Sequence, residues 1–225
     1  MCGLPATGKT TVAEKLAHNL KAQVLNTDLI RETIFLKGSK ADVDKCKTDE
    51  EKMKYDLQEI FDRNPPIPPK YQSLIVGQRE IIYQKLFERV ESLLAKGNII
   101  LDGTFSKMRW RRETYKIARK HSTGFYLIYC ICSEDIVSKR LEDRRHKKSG
   151  ISEVTTMDVF YLVKASFEDP LGDDIPTLVY HSDNRDIEFN GMQNSEELDV
   201  LAKSIRSIAV QHSQKPNRNI FLPYP

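Results

Sequence analysis

Apolar side chains recur at four-residue spacing along some stretches of the chain and crowd into short unbroken runs along others, and the two patterns alternate. Val12, Leu16 and Leu20 fall on one stripe with Ala13 and Ala17 beside them, which predicts a helix over residues 11–20. A short strand over 23–26 ends at Thr27-Asp28, and a second helix is expected from 29 to about 36. Residues 37–47 are polar and read as loop, whereas 48–62 reads as one helix opened by a capping box of Thr48 and Glu51. The four prolines within 64–69 end it, because proline has no N–H to give and its ring collides with the preceding turn. A long helical period then carries Leu74, Ile81, Ile82, Leu86, Val90, Leu93 and Leu94 across 71–96 and stops at Gly97. A strand over 98–101 closes on Asp102, a basic helix covers 107–120, and a strand covers 125–132. Ser133 caps a helix running to about 144, a basic break over 146–150 follows, and 152–167 is helical again. The last strand is expected over 177–180 and the last helix over 195–212.

Strands alternating with helices predict an α/β fold with a parallel sheet and right-handed crossovers. No repeat or linker divides the pattern, so residues 1–213 read as a single domain. It carries an insertion over about 36–70 on the substrate side, a lid over about 140–168, and a tail over 214–225. The 225 residues are 40% hydrophobic and 30% charged, too apolar for a disordered tail and too charged for a membrane protein. A net charge of +3 argues against bulk polyanion affinity as the main theme. The four cysteines show no metal-ligand or disulfide-framework spacing, and no leader sequence precedes the first motif, so the cytoplasm is the expected compartment.

The strongest chemical signal is Gly3-Leu-Pro-Ala-Thr-Gly8-Lys9-Thr10, which fits G-x-x-x-x-G-K-[ST] at every fixed position. Such a loop turns its backbone N–H groups onto a β-phosphate, and the N-terminus of the following helix points its partial positive charge at the same anion. Gly3, Thr7, Gly8, Lys9, Thr10 and Thr11 are therefore the expected nucleotide-binding set, with Lys9 on the β/γ oxygens and the Thr10 hydroxyl on Mg²⁺. Chance produces this pattern in about one chain in a hundred of this length.

Two carboxylates stand outside the carboxyl ends of strands, where open parallel sheets place their chemistry. Asp28 follows the 23–26 strand, with Arg31 one helical turn on; a carboxylate that accepts a hydroxyl proton beside a guanidinium suits the acceptor site of a phosphotransferase. The alternative for Asp28 is a helix N-cap. Asp102 closes the 98–101 strand, and either holds Mg²⁺ together with Thr10 or contacts the acceptor. Arg140 and Arg144 share one helix face in a basic run and could stabilise charge on the transferred phosphoryl group. The basic helix over 107–120 holds Trp110, the single tryptophan; a solvated helix with Trp110 packed inward is preferred over a nucleic-acid surface.

The order of these motifs resembles the phosphate-loop "predicted kinase" group related to polynucleotide kinase, the zeta toxins and gluconate kinase. Gly3 to Thr11 is followed by Thr27-Asp28-Leu-Ile-Arg31, then Ile100-Leu-Asp102-Gly-Thr-Phe105 with Arg109, then Arg140-Leu-Glu-Asp-Arg144-Arg145, then Phe167-Glu168-Asp-Pro170. The likeness spans residue 3 to about 182. It implies a nucleoside-monophosphate-kinase-like three-layer fold, a five-stranded parallel sheet in the order 2-3-1-4-5, ATP with Mg²⁺, and a hydroxyl acceptor. By the same resemblance Asp28 is the general base, Arg31 an acceptor contact, Asp102 and Arg109 line the acceptor side, and Arg140 and Arg144 are lid arginines. The group's central strand precedes the phosphate loop, and here only Met1 and Cys2 stand in its place, so that strand is expected to be missing. The resulting expectation is an ATP-dependent phosphotransferase acting on a hydroxyl of a small metabolite or nucleoside. The alternatives are a 5′-hydroxyl polynucleotide or tRNA-linked kinase, and a non-catalytic nucleotide-binding chain.

Overall fold

A computed structural model describes residues 1–63, 66–147, 156–190 and 196–206. Helix α1 (Lys9–Leu20) buries Val12, Ala13, Leu16 and Ala17, the stripe its spacing predicts. Strand β1 (Gln23–Asn26) pairs parallel with β2 (Ile99–Asp102), placing Asn26 beside Asp102 at their carboxyl ends. Strand β3 (Leu127–Ile131) pairs parallel with β4 (Thr177–His181), and β5 (Asp186–Asn190) returns antiparallel to β4, a hairpin outside the predicted elements.

Between the two-stranded and three-stranded sheets lie Met1 and Cys2. Cys2 donates its N–H to Ile128 O at 2.8 Å and accepts from Cys130 N at 2.8 Å, while the Met1 amino group donates to Leu101 O at 2.7 Å. Two residues thus hydrogen-bond to both facing strands in the position where a central strand was expected. The Met1 ammonium is buried, and burial lowers its pKa. Beside it is a cavity of about 650 Å³ walled by Leu16, Ile99, Leu101, Leu127 and Ile128.

The sheets are covered on both faces. Val12 and Leu16 of α1 and Leu201 and Ile205 of α10 (Glu196–Arg206) form one core with Val24, Ile128 and Leu178. On the other face, α2 (Thr27–Ile34), α6 (Pro69–Leu93) and α7 (Met108–Lys120) bring Ile30, Ile82, Leu86, Val90, Trp110 and Ile117 against Leu25 and Leu127. Trp110 is packed inward, stacked on Tyr83 with ring centroids 3.9 Å apart. Helices α8 (Glu134–Lys147) and α9 (Met157–Ala165) share a small apolar cluster, Val137, Leu141 and Phe160, with Ala6 of the phosphate loop.

The segment over 36–70 departs from its prediction. The stretch expected as loop contains α3 (Lys40–Lys45), opened by a capping box of Ser39 and Asp42. The single helix expected over 48–62 is two, α4 (Asp49–Lys52) and α5 (Leu57–Arg63). Between them Tyr55 leaves the helical path to bridge Leu36, with Asp56 N–H donating to Leu36 O at 2.9 Å. The capping box of Thr48 and Glu51 forms as expected. Gln78 of α6, fully buried, clamps this segment: its Nε2 donates to Met53 O at 3.1 Å and to Tyr55 O at 2.6 Å, and its Oε1 accepts from Leu57 N at 3.2 Å. Val43, Leu57, Ile60 and Phe61 close a satellite core on Tyr71 and Ile75 of α6. The expected lid over 140–168 and last helix over 195–212 are described only in part, and the tail over 214–225 lies outside the described residues.

Candidate active site

The phosphate loop sits between Met1–Cys2 and α1, and its two fixed glycines have separate physical reasons. A Cβ on Gly3 would lie 2.3 Å from the Cys130 carbonyl oxygen, an impossible approach. Gly8 caps α1 with φ 95°, in the left-handed region that glycine enters at no steric cost. Thr7 Oγ1 donates to Leu4 O at 2.9 Å and Lys9 Nζ to the same carbonyl at 2.7 Å, which draws the lysine across the mouth of the loop. Burial lowers the Lys9 pKa, and the Asp102 carboxylate opposes that shift.

Asp102 is the hub. It is almost fully buried, and its Oδ2 accepts from Thr10 Oγ1 at 2.8 Å and from Asn26 Nδ2 at 2.7 Å. The same Asn26 caps α2, its Oδ1 accepting from Asp28 N at 2.8 Å and Leu29 N at 3.1 Å. Capping therefore belongs to Asn26, and the Asp28 carboxylate in the first helical turn is left for other work. Sequence reading passed over Asn26 as a strand end; its signal was an asparagine directly before a helix. The pair Thr10 Oγ1 and Asp102 Oδ2 offers the hard oxygen donors that Mg²⁺ takes from protein while keeping water and phosphate oxygens as its other ligands.

Asp28 faces the same cleft, and burial pushes its carboxyl up, with Arg31 pulling the other way. Arg31 is itself buried and held from two sides: Nη1 lies 3.2 Å from Asp28 Oδ1, and Nε lies 2.8 Å from Asp56 Oδ2 of the insertion. Across from the phosphate loop the cleft is walled by Gln58, Asp62, Arg79, Tyr83 and Trp110. None of the first three was singled out from sequence, because nothing in an exposed-looking polar run marks which side chains fold inward.

The arginines divide. Arg144 lines the cleft, half-buried, and Asp28 is the charge that most offsets the burial acting on it. Arg140 is not among the cleft's lining residues: its Nη1 donates to Ala6 O at 3.0 Å and Ser182 Oγ at 2.9 Å, and its Nη2 to Ser182 O at 3.2 Å. It ties the phosphate loop to the end of β4. Arg109, expected on the acceptor side, turns outward onto Glu80 of α6, is largely exposed, and lines no part of the cleft. The reason is its place on α7: Trp110 takes the inward position, and Arg109 lies over the indole ring with 5.3 Å between guanidinium carbon and ring centroid. Arg111, read as one more residue of a solvated basic helix, is fully buried. Its Nε and Nη2 pair with Asp173, and its Nη1 donates to Phe105 O at 2.7 Å. That carbonyl belongs to the loop after Asp102, so a buried ion pair braces one wall of the cleft.

The comparisons agree with this geometry. The family model for an AAA domain matches residues 1–170. L-seryl-tRNA(Sec) kinase of Homo sapiens is 28% identical over 159 residues, covering 59% of this chain and 46% of the human protein, so the chain spans less than half the length of that relative. A gluconokinase from Sinorhizobium meliloti 1021 superposes with a TM-score of 0.51 at 14% identity, covering 92% of this chain and 90% of its own, which supports the α/β fold. A sugar kinase from Janibacter sp. HTCC2649 gives a TM-score of 0.49 at 15% identity, with 92% of each chain covered. A phosphate loop whose threonine meets a strand-end aspartate, on a parallel sheet shared with a gluconokinase, agrees with the family match: the chain belongs to the AAA domain family and is a P-loop kinase homologue.

Proposed function

We propose that this chain is an ATP-dependent phosphotransferase that moves the γ-phosphate to a hydroxyl of a small metabolite or nucleoside. The observation that carries the reading is the convergence of Thr10, Asn26 and Asp102 in one cleft with Asp28, whose N–H the Asn26 side chain holds. Asp28 accepts the proton of the acceptor hydroxyl, and burial, which raises its pKa above the ordinary carboxylate value, makes it a better base than an ordinary carboxylate. The freed oxygen attacks the γ-phosphorus as the bond to the β–γ bridging oxygen breaks, and ADP leaves. Lys9 and Arg144 stand where charge on the transferred group is greatest. Thr10 and Asp102 would hold Mg²⁺, which supplies charge neutralisation to the phosphates when bound. Arg140 acts as a positioning residue through the loop carbonyl it holds, and Arg31 orients Asp28.

A second reading, a kinase of a tRNA-linked hydroxyl, has the 28% identity to L-seryl-tRNA(Sec) kinase in its favour. The surface of α7 weighs against it: Lys107 at its N-cap and Arg109, Lys116 and Lys120 within it are each paired with a glutamate. Arg112 and Arg119 of the same helix stay exposed, so its attraction for a phosphate backbone is reduced by these pairs and not abolished.

A γ-phosphate transfer screen over sugars, amino alcohols, nucleosides and 5′-hydroxyl RNA tests the proposal. Wild type transfers to a small acceptor; Lys9→Ala and Asp28→Asn each lower kcat by at least about a hundredfold, the size expected for loss of a positioned charge or base. Transfer undiminished in Lys9→Ala would refute the phosphate-loop chemistry, and turnover confined to RNA would select the second reading.

A further inference from the structure

The acceptor side of the cleft is held from behind by a carboxylate that does not reach it. Asp56, directly before α5, is 2% exposed and is not among the cleft's lining residues. Its backbone is fixed on both sides. Its N–H donates to Leu36 O at 2.9 Å, and the buried Gln78 amide holds its two neighbours, Tyr55 O at 2.6 Å and Leu57 N at 3.2 Å. The two side-chain oxygens divide their work. Oδ1 accepts from Glu59 N at 3.1 Å in the first turn of α5, as a helix cap does. Oδ2 lies 2.8 Å from Arg31 Nε, and since the N–H is not aligned on the oxygen, the two meet as charges.

A cap alone does not account for this residue. Capping uses Oδ1, and asparagine or serine would serve as well. The second oxygen puts a charge into the interior, which is costly unless a partner of opposite sign is held against it. That partner is Arg31 in the last turn of α2, whose Nη1 lies 3.2 Å from Asp28 Oδ1 three residues back. Contact at Nε fixes the stem of the guanidinium as well as its tip, and so the side of the cleft from which Arg31 meets Asp28. The Asp28 carboxyl stands among several charges: burial raises its pKa, Arg31 and Lys9 lower it, and Asp102 and Asp56 raise it further, while Asp28 in turn acts on Arg144.

We infer that Asp56 is a positioning residue for the transfer: seated by the insertion, it holds Arg31 in the place from which Arg31 orients Asp28. The general base is thereby tied to the folded state of a segment far from it in the chain. The inference rests on the phosphotransferase reading and adds a residue to its machinery.

Asp56→Asn keeps the cap and the shape of the side chain and removes only the charge facing Arg31; Asp56→Ser, which also caps, is the second variant. In the unliganded chain the carbon NMR resonance of the Asp28 carboxyl, assigned through Asp28→Asn, reads the contact without turnover. Both Asp56 variants remove a charge that raises the Asp28 pKa and release Arg31 to lower it, so the carboxyl titrates at a lower pH than in wild type. In γ-phosphate transfer from ATP to the small acceptor that wild type uses best, Asp56→Asn lowers kcat by at least about tenfold, as a misplaced base implies. KM for ATP stays within about twofold, since the phosphate loop is untouched. In an Asp28→Asn background the same substitution costs less than about twofold, because the group it acts through is already gone. An Asp28 titration unmoved in both variants overturns the inference, and so does an equal loss of kcat in the two backgrounds, the mark of a purely structural role. Absence of transfer by wild type, with the titration still moved, removes the kinase reading and leaves the hold of Asp56 on Arg31 and Asp28 standing.

Discussion

The Arg111–Asp173 pair makes a sharp test of how the cleft wall is held. Both side chains are fully buried, the guanidinium meets the carboxylate through two nitrogens, and the remaining Nη1 is spent on the Phe105 carbonyl. Asp173→Asn keeps the volume and one acceptor oxygen but removes the charge, so a guanidinium is stranded without a counter-ion and without water. Breaking a buried pair from one side costs about 3–5 kcal/mol, because desolvation of the survivor is no longer offset. At about 2–4 °C per kcal/mol for a chain of this size, Tm falls by about 6–20 °C. Urea unfolding followed by circular dichroism gives the free energy, with the slope checking that the unfolded state is unchanged. The loop after Asp102 loosens as well, since Phe105 sits at φ 46°, a strained angle for a side-chain residue that its tether to Arg111 helps to hold. KM for the acceptor therefore rises even at temperatures where the variant is folded. The double substitution Arg111→Met with Asp173→Leu removes both charges and recovers most of the stability. If Asp173→Asn lies within about 1 kcal/mol of wild type at an unchanged slope, the pair is not a buried brace and this account of the wall is wrong.

Two further predictions follow from burial. The Asp62 carboxyl stands at about 7 in the folded chain against an ordinary 3.8, so the folded state holds the proton more tightly than the unfolded one. Its contribution is thus present at low pH and lost as pH rises from about 4 to about 7; the stabilisation of Asp62→Asn relative to wild type grows over that window to about 4 kcal/mol and is level above it. Stability curves that stay parallel from pH 4 to 8 would contradict the assignment. The second concerns the 650 Å³ cavity between β2 and β3, above which the Met1 ammonium is buried. An engineered Val-Ile-Val-Ile extension ahead of Met1 replaces that ammonium with an amide and offers apolar side chains worth about 1.5–3 kcal/mol each on burial, against about 1–2 kcal/mol of backbone entropy per residue. Tm measured by calorimetry rises above that of a Gly-Ser-Gly-Ser extension; equal values would mean the slot does not accept a strand.

What was legible in the sequence is what depends on neighbours in the chain. The phosphate loop could be read because all its groups lie within eight residues; the left-handed turn at Gly8 and the helix start at Lys9 are local requirements, while the close approach at Gly3 is to the Cys130 carbonyl, far along the chain. The alternation of helix and strand could be read because burial on one face imposes a period on the side chains. Asp28 and Asp102 could be placed after their strands for the same reason. Where local signals compete, the reading failed: Thr48 and Glu51 did open a helix, but a bridge from Tyr55 to distant Leu36 ended it. The tertiary structure alone decided the fate of charged residues that look alike in sequence. Arg109, Arg111, Arg140 and Arg144 carry the same group, yet one is exposed on Glu80, one is buried on Asp173, one clamps the phosphate loop and one faces the cleft. The same holds for Asp62 among the acids of the insertion. The physical reason is that desolvation and pairing, which give a charge its energy, depend on what the folded chain brings to it from far along the sequence, and no local pattern encodes that.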